Sequence, residues 1–199
     1  MKRVFDATLA STGLAISLPL WILVALAIKL EDGGPIFYSQ DRVGRDGRVF
    51  RALKFRSMHE DAERGTGPLQ ARAGDRRVTR VGRVMRATAL DELPQLWNIL
   101  RGDMSFVGPR ALRPGEIEIE GGAPVPLEAV RGYADRIVVR PGLTGVAQVF
   151  APRDISRRSK FRYDRLYIQR RSFGLDMRLI LLSFWISFRG TWESRDRKY

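Results

Sequence analysis

Two adjacent carboxylates, Asp91 and Glu92, lie in the middle of a chain that is basic almost everywhere else. Arginines flank the pair in sequence on both sides, at Arg80, Arg83, Arg86, Arg101, Arg110 and Arg113. Carboxylates can attack phosphorus or hold a metal ion, and guanidinium groups bind phosphate oxygens. The combination indicates chemistry on a phosphate group. An ion-paired helix start is the alternative, because structural ion pairs also bring acids and arginines together.

The composition fits a folded protein with a polyanionic partner. Of 199 residues, 44% are hydrophobic and 29% charged, which is enough for a packed core. The net charge of +13 points to nucleic acid, an anionic membrane surface or a phosphorylated substrate. The absence of cysteine excludes disulfides and thiolate metal sites. A Ser-His-Asp triad would have to use His59, the single histidine, whose polar surroundings in the sequence favour a solvated side chain.

Residues 7–28 carry no charge and would form a helix of roughly 33 Å, long enough to cross a bilayer. Three interpretations are open. The segment is a cleaved signal peptide with a small-residue site at residues 25–27, a simple transmembrane helix, or a re-entrant helix that bends at Pro19.

Basic residues on both sides of the apolar segment favour the re-entrant interpretation. Lys2 and Arg3 precede the segment, and Lys29, Arg42 and Arg45 follow it. The positive-inside rule therefore draws both ends to the cytoplasm. We expect a membrane hairpin over residues 1–31 and a cytosolic catalytic domain at the membrane surface over residues 32–199.

Local patterns predict the elements that position the carboxylates. Residues 36–40 and 49–55 read as strands of a hairpin around Asp46 and Gly47, and residues 58–75 as a polar loop. The spacing of leucines predicts a helix over residues 90–100, capped by Thr88. Its positive end would favour the ionised forms of Asp91 and Glu92.

Two glycine-rich loops and an apolar segment complete the pattern. The loops at residues 102–110 and 140–145 suit phosphate binding, and the first would direct Arg110 towards Asp91. Residues 179–188 are too short to span a bilayer and form either an interfacial helix or a buried core helix. The expected fold is α+β and mainly α-helical: a monotopic membrane protein with a re-entrant helix-break-helix, a short β-hairpin and interfacial amphipathic helices.

Ordered blocks along most of the chain resemble the small monotopic phosphoglycosyl transferases, bacterial sugar transferases that start glycan assembly on a polyprenol carrier. The blocks are Lys2-Arg3-Val4-Phe5-Asp6, Gly34-Pro35-Ile36-Phe37, Arg42-Val43-Gly44, residues 54–58, 79–83 and 90–98, Gly102-Asp103-Met104-Ser105, residues 107–110, residues 140–145 and Ala147-Gln148-Val149.

The resemblance implies a reaction. A nucleotide sugar, usually a UDP-sugar, would give its phosphosugar to polyprenol phosphate at the cytoplasmic membrane, releasing UMP and feeding exopolysaccharide or lipopolysaccharide assembly. Asp91 would be the covalent nucleophile and a ligand of Mg²⁺, and Glu92 its partner. Arg110 resembles the phosphate-binding arginine. Other candidate binding residues are Lys54, Arg86, Arg113 and Asp164.

The sequence departs from the family pattern in several places. Ala111 replaces a proline of the arginine loop, with Arg113 and Pro114 slightly later. Leu18 precedes Pro19 where the family often has serine, and Phe150 begins a stretch that replaces a Gly-Arg-Asn block. Asp164 lies in a block that keeps one of its two tyrosines.

A non-enzymatic basic protein that binds anionic lipid or nucleic acid is the rival hypothesis, supported by the net charge. It gives no reason for an acidic pair at the centre, so no nucleic acid partner is expected. The sequence leaves open the sugar, the polyprenol, the glycan pathway and the oligomeric state, for which a homodimer is one possible form.

Overall fold

The computed structural model describes residues 1–62, 75–120, 123–152 and 155–192. These parts of the chain are mainly helical, as expected. The helices are α1 (Lys2–Asp32), α2 (Arg80–Thr88), α3 (Gln95–Arg101), α4 (Tyr133–Ile137), α5 (Val146–Phe150), α6 (Arg157–Arg170) and α7 (Phe173–Arg189). The strands are β1 (Phe37–Val43), β2 (Val49–Phe55), β3 (Ser105–Val107), β4 (Ile117–Glu120), β5 (Ala123–Pro126) and β6 (Gly142–Thr144).

The predicted hairpin is confirmed, and its first strand is longer than expected. Strands β1 and β2 pair antiparallel from Phe37 opposite Phe55 to Val43 opposite Val49. Asp46 and Gly47 in the connection have φ angles of 57° and 76°, a left-handed backbone that glycine and aspartate tolerate. Most of the predicted polar loop, residues 63–74, lies outside the described residues.

Helix α1 contacts the rest of the chain at both of its ends. At its start, the Lys2 ammonium pairs with Asp176 at 2.6 Å, and Arg3 donates to the carbonyl of Ile99 at 2.5 Å. At its end, the Glu31 carboxylate accepts the backbone N–H of Val81 at 3.0 Å. Because α2 begins at Arg80, Glu31 supplies a cap for the exposed amides of that helix.

The two helices expected on either side of Pro19 are one continuous helix. Pro19 lies inside α1, which stays helical from Lys2 to Asp32. Within the described residues, α1 is the helix that is long and apolar enough to cross a membrane. Its outer face exposes large apolar side chains, with Ile16 at 75% and Leu23 at 64% exposure. The re-entrant path stays a prediction.

The inner face of α1 belongs to the hydrophobic core. Ala10 joins a cluster with Leu96 and Ile99 of α3, and Val24 and Ile28 pack with Phe55 and Met85 in a second cluster. An added Cβ at Gly13 would lie 3.2 Å from Leu96, so this glycine permits the close approach of α1 to α3. The apolar helix α1 therefore forms part of the hydrophobic core.

The helix predicted over residues 90–100 is shorter, and that prediction is wrong in its first half. Helix α2 ends at Thr88, whose hydroxyl donates to the carbonyl of Val84 at 2.8 Å and does not cap α3. Ala89 follows with a φ of 58°, which turns the chain out of the helix. Leu90–Glu92 forms a 3-10 turn, and α3 begins at Gln95 after Pro94.

Helix α7 combines the two alternatives considered for residues 179–188. Leu179 and Ile186 are fully buried, whereas Phe184 and Phe188 are 65% and 85% exposed. One face is therefore a core face, and the opposite face is apolar but open. Such a face is typical of a helix that lies at a membrane interface.

The end of α1 predicts a pH-dependent contribution to stability. The Arg56 guanidinium bonds the Asp32 carboxylate, with one N–O distance of 2.7 Å, and holds its pKa at about 2. We expect Asp32→Asn to lower the free energy of unfolding by about 1–2 kcal/mol at pH 7. Because the pKa is depressed in the folded state, the difference from wild type should persist above pH 4 and disappear as the pH falls towards 2.

Thermal unfolding of purified full-length protein in neutral detergent measures this difference. Glu128→Gln, at an exposed position, is the matched control and should unfold like wild type at every pH. An Asp32→Asn deficit of the same size at pH 2.5 and at pH 7 would contradict the assignment.

Candidate active site

The two carboxylates share one ammonium group. The Nζ atom of Lys54, on β2, lies 2.5 Å from Glu92 Oε1 and 3.8 Å from Asp91 Oδ2. The 3-10 turn that carries both acids packs against β2, which places them opposite the lysine. Asp91 is only 7% exposed. The predicted member Lys54 is therefore brought to the acidic pair, with Glu92 as its nearer partner.

The first glycine loop directs Arg110 to the same pair, as predicted. Arg110 donates to Glu92 Oε1 at 3.2 Å and is about half exposed, at 49% of its side chain. The loop is held by backbone contacts, since Gly108 N–H donates to the Thr144 carbonyl of β6 at 2.9 Å. A Cβ at Gly142 would lie 2.0 Å from the Gly108 nitrogen. The glycines of the two loops are needed for this contact.

The surroundings shift the pKa values of the two acids in opposite directions. Burial and the charge of Glu92 raise the pKa of Asp91 to about 6, although Lys54 acts against the shift. Burial also opposes ionisation of Glu92, but Lys54 and Arg110 outweigh it and hold its pKa at about 2. The expectation that a helix end favours both ionised forms is wrong for Asp91, because α3 begins only at Gln95 and burial dominates.

Asp164 acts on the site through a second arginine. It is 3% exposed and accepts from Arg136 Nε at 3.2 Å, while Arg136 Nη2 donates to the Arg110 carbonyl at 2.6 Å. The Arg136 guanidinium also lies 4.6 Å from the ring centre of Phe161. Asp164 thus supports the backbone of the Arg110 loop and does not contact Asp91. Arg136 was not identified from the sequence.

Further arginines line the same space. Arg42 donates to the Ala111 carbonyl at 2.9 Å, and burial together with the charges of Arg110 and Arg113 lowers its pKa to about 10. Arg86, from α2, lowers the proton affinity of Asp91 through its charge. Arg42 lies in one of the family-like blocks, but its place at the site was not predicted from the sequence.

These residues open onto a cavity of about 910 Å³. Asp91 and Glu92 line it. One wall is basic, with Arg42, Arg86, Arg110, Arg113, Arg136, Arg157 and Lys160. Another wall is formed by α1 and α7, with Leu9, Gly13, Ile16, Ile180 and Phe184. The cavity thus offers anion-binding groups, apolar side chains and the buried carboxylate of Asp91.

Asp91 has the donor chemistry for a magnesium site shared with substrate. The described residues contain no group of three or more acidic or histidine side chains placed to hold a metal. Mg²⁺, however, commonly uses one or two carboxylates, waters and substrate phosphates. Glu92 already bonds Lys54 and Arg110, whereas Asp91 keeps a raised pKa. The donor set therefore fits a cation held by Asp91 and phosphate oxygens.

Comparison with known proteins gives a consistent family. A family model described as bacterial sugar transferase matches residues 1–190. A Caulobacter vibrioides protein named UDP-glucose:undecaprenyl-phosphate glucose-1-phosphate transferase is 45% identical over 185 residues, 90% of this chain and 67% of that protein. The Komagataeibacter xylinus undecaprenyl-phosphate glucose phosphotransferase is 42% identical over 92% of this chain.

A third relative carries a different sugar in its name. The Aeromonas hydrophila UDP-N-acetylgalactosamine-undecaprenyl-phosphate N-acetylgalactosaminephosphotransferase is 39% identical over 90% of this chain. The chain spans 42% of the length of the Aeromonas protein and 35% of the Komagataeibacter protein. Similarity of this degree does not identify the sugar.

Because the pKa values of Asp91 and Glu92 shift in opposite directions, neutral substitutions at the two positions should have opposite effects on stability. In the folded state the pKa of Asp91 is raised to about 6, so its ionisation costs stability at neutral pH. Asp91→Asn should raise the free energy of unfolding by about 1–3 kcal/mol at pH 7.5. The gain should shrink below pH 6 and vanish near pH 4, where wild-type Asp91 is protonated in the folded state.

Glu92→Gln is the matched comparison, one residue away. The pKa of the wild-type Glu92 carboxyl is lowered to about 2 in the folded state, so ionised Glu92 stabilises the fold at neutral pH. Thermal unfolding without added metal should rank Asp91→Asn above wild type and Glu92→Gln below it. Equal losses in both variants would contradict the assigned proton affinities.

Proposed function

Because the chain belongs to the bacterial sugar transferase family, we propose that it transfers a sugar phosphate from a UDP-sugar to undecaprenyl phosphate. The products are UMP and an undecaprenyl-diphosphate sugar, the first lipid-linked unit of a glycan. The observation that carries the proposal is the buried carboxylate of Asp91 in a cavity that basic and apolar side chains line together. The nucleotide sugar is anionic, and the polyprenol is apolar.

The proposed first step is attack by Asp91 on the donor. An Asp91 carboxylate oxygen forms a bond to the phosphorus that bears the sugar, and the bond from that phosphorus to the bridging oxygen of UMP breaks. UMP leaves with the bonding electron pair, and an acyl phosphate of Asp91 that carries the sugar remains. The raised pKa of about 6 is compatible with attack, because Asp91 is ionised at neutral pH but stays more basic than a solvated carboxylate.

Glu92, Lys54 and Arg110 are proposed to organise the phosphates. Glu92 fixes the Lys54 ammonium at 2.5 Å and Arg110 at 3.2 Å, so both cations are held next to Asp91. When the diphosphate enters, these cations face its oxygens and offset charge that develops on them. Glu92 therefore acts as the partner that positions the cations. Arg86 and Arg113 contribute positive charge from the cavity wall.

In the proposed second step, the phosphate of undecaprenyl phosphate attacks the same phosphorus. The new P–O bond forms as the bond to Asp91 breaks, which regenerates the carboxylate. The apolar wall between α1 and α7 suits the polyprenol chain, since Ile16 and Phe184 line the cavity and are 75% and 65% exposed. Bound Mg²⁺ would offset phosphate charge at Asp91.

We also propose that α1 enters the cytoplasmic membrane from the cytoplasmic face and returns to it, and that the remaining chain rests on that face. The support is that both ends of α1 contact the same body. Lys2 pairs with Asp176, and Asp32 pairs with Arg56. Between its ends, α1 packs along that body through Ala10, Val24 and Ile28, so a helix that crossed the bilayer would draw the charged body into the hydrocarbon.

The two-step mechanism predicts a half-reaction without acceptor. Incubation of the full-length protein with UDP-sugar, Mg²⁺ and no polyprenol phosphate should release about one UMP per active enzyme and leave phosphosugar on Asp91. Quenched-flow nucleotide analysis and peptide mass spectrometry measure the two products. Release of UMP only after acceptor is added would reject the covalent step.

Asp91→Asn should abolish both the UMP burst and turnover. Asp135→Asn changes a half-exposed carboxylate of α4 outside the cavity lining and should retain both. A panel of UDP-sugars in the same assay identifies the donor. Turnover by Asp91→Asn above about 1% of wild type would contradict its role as nucleophile.

The topology predicts that both ends of α1 react from the cytoplasm. Lys2→Cys and Lys29→Cys can be made in a chain that has no other cysteine. A membrane-impermeant maleimide should label both variants in inverted vesicles and neither in intact cells. Glu128→Cys is the control for the exposed catalytic surface. Labelling of one end in inverted vesicles and of the other end in intact cells would instead establish a spanning helix.

A further inference from the structure

A second, smaller cavity lies apart from the acidic pair, at the start of α1. Its volume is about 140 Å³, too small for a nucleotide sugar. Five of the side chains that line it are basic: Lys2, Arg3, Arg45, Arg140 and Arg171. None of these five lines the larger cavity. Asp6, which is 1% exposed, is the one acidic residue among the described lining residues.

Lys2 pairs with Asp176 at 2.6 Å and Arg45 with Asp46 at 2.9 Å, but the other three basic side chains have no ion pair within the described residues. Arg3 donates to the carbonyls of Ile99 and Leu100, and Arg140 Nε donates to the Gly102 carbonyl at 2.8 Å. Carbonyl oxygens satisfy the N–H groups but leave the net charge in place. In the described parts of the chain, Arg171 likewise has no ion pair. The cavity therefore has a positive potential that favours an anion.

A buried hydroxyl in the cavity lacks a hydrogen-bond partner. Ser105 is 1% exposed and lines the cavity, and among the described residues no group bonds its Oγ atom. A buried polar atom without a partner costs about 1–3 kcal/mol, and such atoms mark positions where a further group is expected. An oxygen of a bound anion would accept from this hydroxyl.

Exposed apolar side chains lie close in sequence to the residues that line the cavity. Val4, on the same turn as Lys2 and Arg3, is 70% exposed, and Phe173, two residues after Arg171, is 63% exposed. The Phe173 ring contacts Phe5 edge to face, with 5.3 Å between ring centres. Apolar side chains beside an anion-binding cavity suit a ligand that carries acyl chains as well as a charged group.

We propose that this cavity binds the phosphodiester headgroup of an anionic membrane phospholipid. The phosphate oxygens accept from Ser105 and from the surrounding basic groups, and the acyl chains lie along Val4 and Phe173. The site would hold the start of α1 at the membrane surface. It is separate from the proposed catalytic reaction, and its occupant is neither donor nor acceptor.

Binding of short-chain lipid to the full-length protein in neutral detergent tests the proposal. The probes are dioctanoyl phosphatidylglycerol, dioctanoyl phosphatidylcholine and inorganic phosphate, each titrated without donor or acceptor. Native mass spectrometry counts bound lipid, and the thermal unfolding shift gives affinity. Phosphatidylglycerol should bind the wild type more tightly than either other probe.

Three variants test whether the lipid binds at this cavity. Arg45→Gln with Arg171→Gln should weaken phosphatidylglycerol binding by about tenfold or more. Ser105→Ala should weaken it by about threefold while leaving the lipid-free protein at least as stable as wild type, because the unpartnered hydroxyl is removed. Arg131→Gln with Arg162→Gln removes two exposed charges outside both cavities and should bind like wild type.

Several results would overturn the proposal. Equal weakening by the control pair would mean nonspecific attraction to surface charge. Equal binding of phosphatidylcholine would exclude recognition of an anionic headgroup, and inorganic phosphate with matching affinity would assign the cavity to a free anion. Unchanged phosphatidylglycerol binding in Ser105→Ala would show that the buried hydroxyl does not contact the lipid. UMP release is measured separately, so failure here leaves the proposed reaction untouched.

Discussion

One ammonium group facing two adjacent carboxylates is the constraint on which the site depends. Lys54 lies 2.5 Å from Glu92 and 3.8 Å from Asp91, and Arg110 adds a second cation on the Glu92 side. The negative charge of Glu92 is therefore neutralised more fully than that of Asp91. Glu92 is held ionised, and Asp91 keeps a higher proton affinity in a buried position. Two acids that are neighbours in sequence acquire different proton affinities, which supports the separate roles proposed for them.

The features predicted from sequence were those with a local cause. The β1–β2 hairpin follows from alternating side chains and a turn at Asp46 and Gly47. The approach of Arg110 to the acids follows from glycines that allow one backbone to lie against another. The helix start at Leu90 failed because the left-handed backbone of Ala89 and the position of Pro94 override the leucine spacing.

The features that were missed depend on contacts between distant parts of the chain. The raised pKa of Asp91 comes mainly from burial, which no short motif reports. Arg136 supports the Arg110 loop and pairs with Asp164, 28 residues away, so nothing near it in sequence marks it. Arg42 was quoted in a family-like block, but its place beside Arg110 and Arg113 appears only in the folded chain.

The shared core of α1 has a consequence for handling the protein. Val24 and Ile28 pack with Phe55, the last residue of the strand that carries Lys54, and Glu31 caps the helix that leads to Asp91. The apolar helix α1 and the acidic turn therefore belong to one cooperative folding unit. A detergent harsh enough to strip α1 from its packing would damage the acidic turn as well. Loss of the proposed activity on extraction would then result from local unfolding rather than from removal of the proposed lipid acceptor.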